Sequence, residues 1–453
     1  MRIGGAILLA LFGFVQAASG LQRGPPGYWT RITEPAGRNI DQVALVRTQD
    51  GVLHVAWTEE KPGLKATLWH QAIRPNGSVA GAKSPIVTGF NALGNPDLVV
   101  TPDGGLRVFF GGLGPSPNNA LNTATAPASG AAWTLQVAKA AQDSSAYASP
   151  SGAGTTSDGT PVSAWGTTFG TRAHVGVDAT AADITLQTSC CGYYPDVATA
   201  DPPGQVVVGW FSNATREAGL YTQTISAGGP VGPRLYVPGS ASADRASTLG
   251  IDQRMAIAHR AGGGVYVAYG AGYPTFKSVN LWRNGAARPV LSIPAAGAQD
   301  VNISAAPDGR LWLMWQLQGT ISVTRTNKAA TRVGPVIAVK PPPQTTTIWK
   351  VSGEGSLGQL DLFASVTLPG STATWQTQVR PALSLLGRGG KVLSFVVTDA
   401  GDPVAGAKIA VAGRTLTTSS GGRAQVDLPT GTFTAVATAP GYAASAAVKV
   451  ASS

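Results

Sequence analysis

The apolar positions of this chain fall into short runs that alternate with polar residues and stop at glycine, proline or Asp-Gly, and one such pattern recurs. A turn glycine opens an alternating apolar stretch that ends in an aromatic residue six positions later: Gly51 to Trp57, Gly104 to Phe110, Gly159 to Trp165, Gly204 to Trp210, Gly263 to Tyr269 and Gly309 to Trp315. Gly358 to Ala364 repeats the pattern without the aromatic. Successive glycines lie 53, 55, 45, 59, 46 and 49 residues apart. Period-two alternation marks a strand with one buried face, and Asp-Gly, as in Asp50-Gly51, Asp103-Gly104, Asp158-Gly159 and Asp308-Gly309, tolerates the positive φ angles of tight hairpin turns. An apolar run precedes each turn, for example Val43 to Val46 and Asp97 to Val100. Each unit therefore opens with a hairpin of two largely buried strands.

Weaker strands follow each aromatic, such as Thr67 to Ile73 and Leu220 to Ile225. Four strands in about 50 residues make one propeller blade, so the repeats predict an all-β chain with a seven-bladed β-propeller over residues 27–386. The repeated rings are expected to pack between blades. An open edge strand invites aggregation. The segment Gly27 to Pro35, similar in sequence to the outer strand Ala131 to Lys139, is expected to complete the last blade and close the ring.

Gly387-Arg388-Gly389-Gly390 reads as a flexible linker between units that fold independently. Beyond it, alternation over Ala424 to Leu428 and Thr432 to Thr438 with glycine-rich turns predicts a small Ig-like or transthyretin-like β-sandwich over residues 391–453.

Composition sharpens this picture. Gly 58 and Pro 32 among 453 residues, with 12% charged and 43% hydrophobic, fit many short strands and exclude a disordered chain. Lys plus Arg exceed Asp plus Glu by 33 − 23 = 10, a field that favours acidic partners such as an anionic cell-wall polymer. No cluster of Lys or Arg marks a nucleic-acid groove. Arg2, an apolar run from Ala6 to Val15, and the small residues Val15 and Ala17 around Gln16 read as a secretory signal peptide over residues 1–17. No other stretch approaches the roughly 18 apolar residues of a membrane helix. A secreted, extracellular monomer without a membrane span is expected.

Cys190 and Cys191 are the only cysteines and stand side by side. In an oxidising compartment such a pair is expected to form a disulfide, whose minimal ring strains the intervening peptide into a rigid plate. Tyr193 and Tyr194 follow, with amphipathic rings suited to sugars or aromatic ligands. With Asp196, and with Tyr273 just beyond the fifth repeat, these residues form the candidate ligand set. The alternatives are a pair that only stiffens a loop, or a redox switch. A second set is the acids that open inner strands, Asp41, Asp97, Asp196, Asp252 and Asp300. Their offsets to the turn glycine are 10, 7, 8, 11 and 9, so both parities occur and all five are not expected to face the channel. They serve either as caps and blade-to-blade hydrogen bonds or as a mouth for a hydroxyl-rich ligand or a calcium ion. No other cofactor is indicated.

Catalytic templates fail. His54, His70, His174 and His259 lack metal-ligand spacing, and GxSxG and phosphate-loop patterns are absent. The candidate paired carboxyls of a glycosidase, Glu59, Glu60 and Glu217, fall in loops after aromatic strands.

The repeat resembles the sialidase-like exported β-propeller families over about residues 27–386. The resemblance implies a propeller and, for an enzyme of that type, glycoside hydrolysis. The sialidase Asp-box, Ser-x-Asp-x-Gly-x-Thr-Trp, is not kept, because here Asp and Gly are adjacent and Thr-Trp is missing; Arg31-Ile32-Thr33 departs from Arg-Ile-Pro at its third place. The C-terminal segment resembles the carboxypeptidase regulatory-like modules of exported proteins through Asp402-Pro403-Val404, Gly406-Ala407, Gly422, Gly431 and Gly441-Tyr442. That likeness implies a spacer, not a peptidase. The expectation is a non-enzymatic secreted protein that binds a carbohydrate or cell-surface polymer at one mouth of the propeller. A glycoside hydrolase or lyase of sialidase-like type is the alternative, and a structural surface protein the third reading.

Overall fold

A computed structural model describes residues 28–34, 43–60, 63, 65–114, 120–140, 149–167, 170–177, 183–189, 191–214, 216–241, 255–317 and 319–453. The expected signal peptide, Asp41, Cys190 and Asp252 lie outside these residues. All regular elements among the described residues are β-strands.

Seven antiparallel sheets follow one another along the chain, each opening with the strand that precedes a repeat glycine. The first is Ala44–Arg47, Leu53–Glu59, Ala66–Ile73 and Val79–Phe90. In the second, Ala92–Leu93 and Asp97–Val100 both pair with Leu106–Leu113, which continues to Ala120–Ala126 and Thr134–Ala140. The third to sixth begin with Ser149–Thr155, Gly192–Thr199, Met255–His259 and Gln299–Ala305, and each adds three more strands in order. The seventh is Thr347–Glu354, Leu360–Leu368 and Ser371–Val379, completed by Thr30–Arg31 from the other end of the chain.

The opening strand of each sheet packs on that of the next, and Thr347–Glu354 returns to Ala44–Arg47. The apolar core is divided the same way, into seams that each join two neighbouring sheets. Leu68 and Ala56 of the first sheet meet Val108 and Phe110 of the second; Trp312 and Met314 of the sixth meet Leu360 and Leu362 of the seventh. Phe363 of the seventh meets Val55 and Trp57 of the first. The repeat aromatics Trp57, Phe110, Trp210 and Tyr269 are fully buried in such seams. Where the seventh repeat has Ala364, the volume is taken by Trp312 and Met314 from the neighbouring sheet. A closed succession of face-packed antiparallel sheets is a propeller-like, all-β architecture.

Closure uses two devices. Thr30 pairs with Gln376 and Arg31 with Trp375, extended by Thr374 N–H donating to Thr33 Oγ1 at 2.9 Å. The segment expected to complete the last unit thus lies on its outer strand. On the inner side Arg47 of the first sheet reaches Glu354 and Asp361 of the seventh at 2.5 and 2.6 Å. Gln376 and Gln378 donate to the other Asp361 oxygen at 2.9 and 2.8 Å.

The C-terminal residues form two further sheets, one of Ser384–Arg388, Val392–Asp399, Asp402–Pro403 and Arg423–Asp427, the other of Arg414–Thr417, Lys408–Val411, Gly431–Thr438 and Val448–Ser452. Leu393, Phe395, Val397, Ile409, Ala435 and Val450 form a core between them. Two expectations change here. The stretch 387–390 is not a free linker, because Gly387 pairs with Phe395 inside a strand and Gly390 N–H donates to the Ala451 carbonyl at 3.1 Å. A Cβ on Gly387 would stand 2.4 Å from Val450 Cγ1, so close packing explains this glycine; the boundary moves from 386–391 to between Val379 and Ser384.

The two parts are also in contact. Arg310 and Arg325 of the sixth sheet converge on Asp399, Arg310 Nε at 3.1 Å, and Arg310 also reaches Asp402 at 2.7 Å. Tyr442 donates its hydroxyl to Asp399 at 3.2 Å and lies against the Arg325 guanidinium. Both arginines and Asp399 are buried, so the junction is a desolvated ionic contact rather than a tether.

Candidate functional site

The opening strands enclose a cavity of about 170 Å³ where the sheets converge, lined by Ala44, Asn95, Asp97, Tyr194, Asp196, Ala256, Asp300, Asn302 and Ser352 among others. Pairing register shows why these residues meet. Ala44, Asp97, Gly152, Asp196, Ala256, Asn302 and Ser352 each pair with the residue just before the repeat's aromatic position: Ala56, Phe109, Ala164, Gly209, Ala268, Met314 and Phe363. They are equivalent positions of seven strands, and side chains there share one face.

The parity expectation for the acids is corrected by this register. Asp97 and Asp196 are equivalent although their offsets to the turn glycine differ. Val100 pairs with Leu106, leaving residues 101–105 in the turn, whereas Thr199 pairs with Val206, leaving residues 200–205, one more. Asp300 sits two residues ahead of its strand's equivalent position, at a register irregularity, with φ 52°.

The acids do join sheets. Asp97 accepts from its neighbour Leu98 N–H at 2.8 Å and, through its other oxygen, from Ala153 N–H of the third sheet at 2.6 Å. Asp196 repeats this with Val197 N–H at 2.8 Å and Ile257 N–H of the fifth at 2.8 Å. Asn302 solves the same position with an amide, accepting from Ile303 N–H at 2.8 Å and donating to the Val351 carbonyl at 3.2 Å. Asp300 accepts from Val351 N–H and has Lys350 Nζ 3.9 Å away.

Within the described residues no cation is paired with Asp97 or Asp196. Burial, and after it the Asp196 charge, push the Asp97 carboxyl up to about 8; burial pushes Asp196 up to about 6 against the pull of its two backbone donors. Gly152 holds the equivalent position of the intervening sheet, so no side chain stands between the two acids there. A Cβ on Gly152 would come 2.3 Å from the Pro195 carbonyl oxygen.

An aromatic element adjoins the acids. Tyr194, at φ 48°, lines the cavity, and Lys350 Nζ lies 5.9 Å from its ring centre and 5.6 Å from that of Trp349. Trp349 is 40% exposed, an uncommon fraction for a ring of that size.

The candidate ligand residues separate. Tyr194 and Asp196 meet at the cavity. Tyr193 does not line the cavity; at a register irregularity of the strand its ring lies between Tyr194 and Phe211, 6.3 Å from each. Tyr273 is buried at 3% exposure with its ring 5.1 Å from Phe211, so it belongs to the seam between the fourth and fifth sheets. Cys191 stands before the strand Gly192–Thr199, its carbonyl accepting from Asn213 N–H at 2.9 Å; its partner in the expected disulfide, Cys190, lies outside the described residues. The three glutamates do not converge: Glu59 holds Trp57 Nε1 at 2.9 Å and Lys83, Glu60 accepts from Leu93 N–H, and Glu217 faces Arg234. Among the described residues no group of three or more His, Cys, Asp or Glu is placed to hold a metal ion. Sequence reasoning missed Asn302, Ser352, Lys350 and Trp349; the signal available for the first two was their place in the repeat register.

Fold and site together define a propeller-like all-β protein with an acid-lined central cavity flanked by aromatic rings. No protein-family model and no curated protein matches the chain. Among solved structures it is similar to a protein of unknown function from Dyadobacter fermentans (10% identity, 78% of this chain and 98% of that one, TM-score 0.48). It is also similar to a polysaccharide lyase, an ulvan lyase (9% identity, 76% and 96%, TM-score 0.46), and to an α-L-arabinofuranosidase from Fusarium graminearum (12% identity, 79% and 98%, TM-score 0.46).

Proposed function

We propose that this is a secreted glycan-binding protein whose seven sheets are the blades of one propeller and whose ligand enters the central cavity. The C-terminal sheets are then a carboxypeptidase regulatory-like sandwich that extends from the ring as a fixed arm. The observation that carries the reading is the cavity lining: Asp97, Asp196 and Ser352 beside the ring of Tyr194, with the Trp349 ring next to it across Lys350. Sugars offer hydroxyl donors around their edge and C–H faces that stack on such rings. The acidic lining favours a hydroxyl-bearing ligand over an anionic polymer, although the chain as a whole carries a charge of +10. A vicinal disulfide between Cys190 and Cys191 ahead of Tyr194 fits the same reading, since no described cysteine is a free thiol.

The test is a glycan array followed by calorimetry on the mature protein. Tyr194→Ala and Trp349→Ala are expected to weaken binding by about tenfold or more, or about 1.4 kcal/mol, with unchanged melting. An array without any hit rejects the proposal. One observation favours the hydrolase or lyase alternative: two carboxyls in one cavity titrate apart, Asp97 at about 8 and Asp196 at about 6, as acid and base partners do. Turnover on a polysaccharide panel, lost in Asp97→Asn, would select it.

A further inference from the structure

Asp97 and Asp196 present an electrostatic problem that the chain leaves open. Each is tied by backbone N–H groups alone. Neither has a lysine, arginine or histidine partner among the described residues, while Asp300, on the same cavity, has Lys350. Both acids are half-buried; a partly desolvated carboxylate is stabilised when a cation joins it, and two facing one space repel each other as well. The remaining oxygen lone pairs are hydrogen-bond acceptors, and among the described residues their donors are those backbone groups.

From this geometry we infer that the cavity takes the protonated amine of its ligand between Asp97 and Asp196, so that the preferred glycan carries a free amino sugar. The inference rests on the glycan-binding reading and narrows it. An ammonium offers three N–H donors on one charge, enough to reach both carboxylates. Tyr194 and Trp349 then stack the adjoining rings of the oligomer. N-acetylation removes the charge and two donors and adds bulk. A uronate brings a third like charge.

Among the described residues the acids that line this cavity are Asp97, Asp196 and the Lys350-paired Asp300, with the Tyr194 phenol beside them. Below neutrality the first is protonated and the second partly so. An arriving ammonium stabilises both ionised forms and therefore expels protons.

Calorimetry on the full mature protein at pH 6 tests this with β-1,4-linked tetramers of glucosamine and of N-acetylglucosamine and with α-1,4-linked tetragalacturonate. The glucosamine tetramer is expected to bind at least about tenfold tighter than the acetylated one, equivalent to about 1.4 kcal/mol. Its heat should depend on the buffer's ionisation enthalpy in the sense of proton release. Asp196→Asn is expected to bring the two tetramers within about twofold, and the proton release of the unaltered protein reads the same interaction without any variant. Equal or tighter binding of the acetylated or uronate tetramer, or binding of glucosamine without proton release, overturns the inference and leaves glycan binding standing. Failure of all three tetramers together with a blank array removes both.

Discussion

Arg47 and Glu354 stand 307 residues apart in the chain, yet Arg47 Nε lies 2.5 Å from Glu354 Oε2. The same guanidinium reaches Asp361 at 2.6 Å, and all three side chains are largely buried. This is the inner lock between the first and last sheets, and removing one member leaves the others charged in a dry seam. Arg47→Ala is expected to cost about 3–5 kcal/mol, measured as the shift in urea unfolding at pH 7. A change under about 1 kcal/mol would show that the lock is wet.

His54 and His70 lie stacked in the first sheet, with Nδ1 of one 2.9 Å from Nε2 of the other, and Trp133 covers His70. Burial pulls His54 down to about 4, with Asp50 opposing; burial and then the His54 charge pull His70 down to about 3. The unfolded chain, with histidines near 6.5, binds more protons between these values. Stability therefore falls as pH drops from about 6.5 toward 4. Asp97 and Asp196 pull the other way over the same range, so the readout is a difference: the melting temperature of His70→Gln relative to the parent should rise as pH drops from about 6.5 toward 4.

Asp97 and Asp196 act with the opposite sign. Their folded values lie above the unfolded carboxyl value of about 3.9, so the folded state holds the extra protons and loses stability as pH rises from about 4 toward 8. Asp97→Asn can adopt the pattern of Asn302, accepting from the next residue and donating to a carbonyl of the neighbouring sheet. It is expected to raise the melting temperature at pH 8 relative to the parent and to change it little at pH 5. A uniform loss at both values would mean that the amide cannot turn as Asn302 does.

Asp399 joins the C-terminal sheets to the sixth sheet through Arg310 and Arg325. Asp399→Ala leaves the buried Arg325 guanidinium without a carboxylate and Arg310 with only Asp308 and Asp402. Scanning calorimetry should show one transition for the parent and, for the variant, a separate early transition of one of the two parts. Because the contact is desolvated, 0.5 M salt should shift the parent little.

Legibility in the sequence followed locality. The repeat glycine and its aromatic announce each hairpin, and Trp57, Phe110, Trp210 and Tyr269 are buried as their positions predict. What escaped was set by partners far away in the chain. Gly387 looked like a flexible joint because its reason for being glycine, Val450, is 63 positions on (450 − 387). The parity of Asp97 and Asp196 misled because it was counted from the turn glycine, and one turn carries an extra residue. Tyr193 and Tyr194 read as one ligand-facing pair; their rings do lie side by side, but an irregularity in the strand register brings only Tyr194 to the cavity while Tyr193 rests on Phe211. Trp349 and Lys350 carry no repeat signal at all.

The outer closure has a consequence in time. Thr33 and Thr374 are hydrogen-bonded at 2.9 Å and lie 341 residues apart. A chain made at about 5–20 residues per second emits the first partner roughly 20–70 s before the second. Every other sheet can assemble from segments made within one repeat of each other, so synthesis itself orders the events, with the seam between the last and first sheets sealing after the rest. Through that interval Thr30–Arg31 has no strand to join. Its brevity and its hydroxyl and guanidinium side chains are suited to waiting in water without recruiting a wrong neighbour.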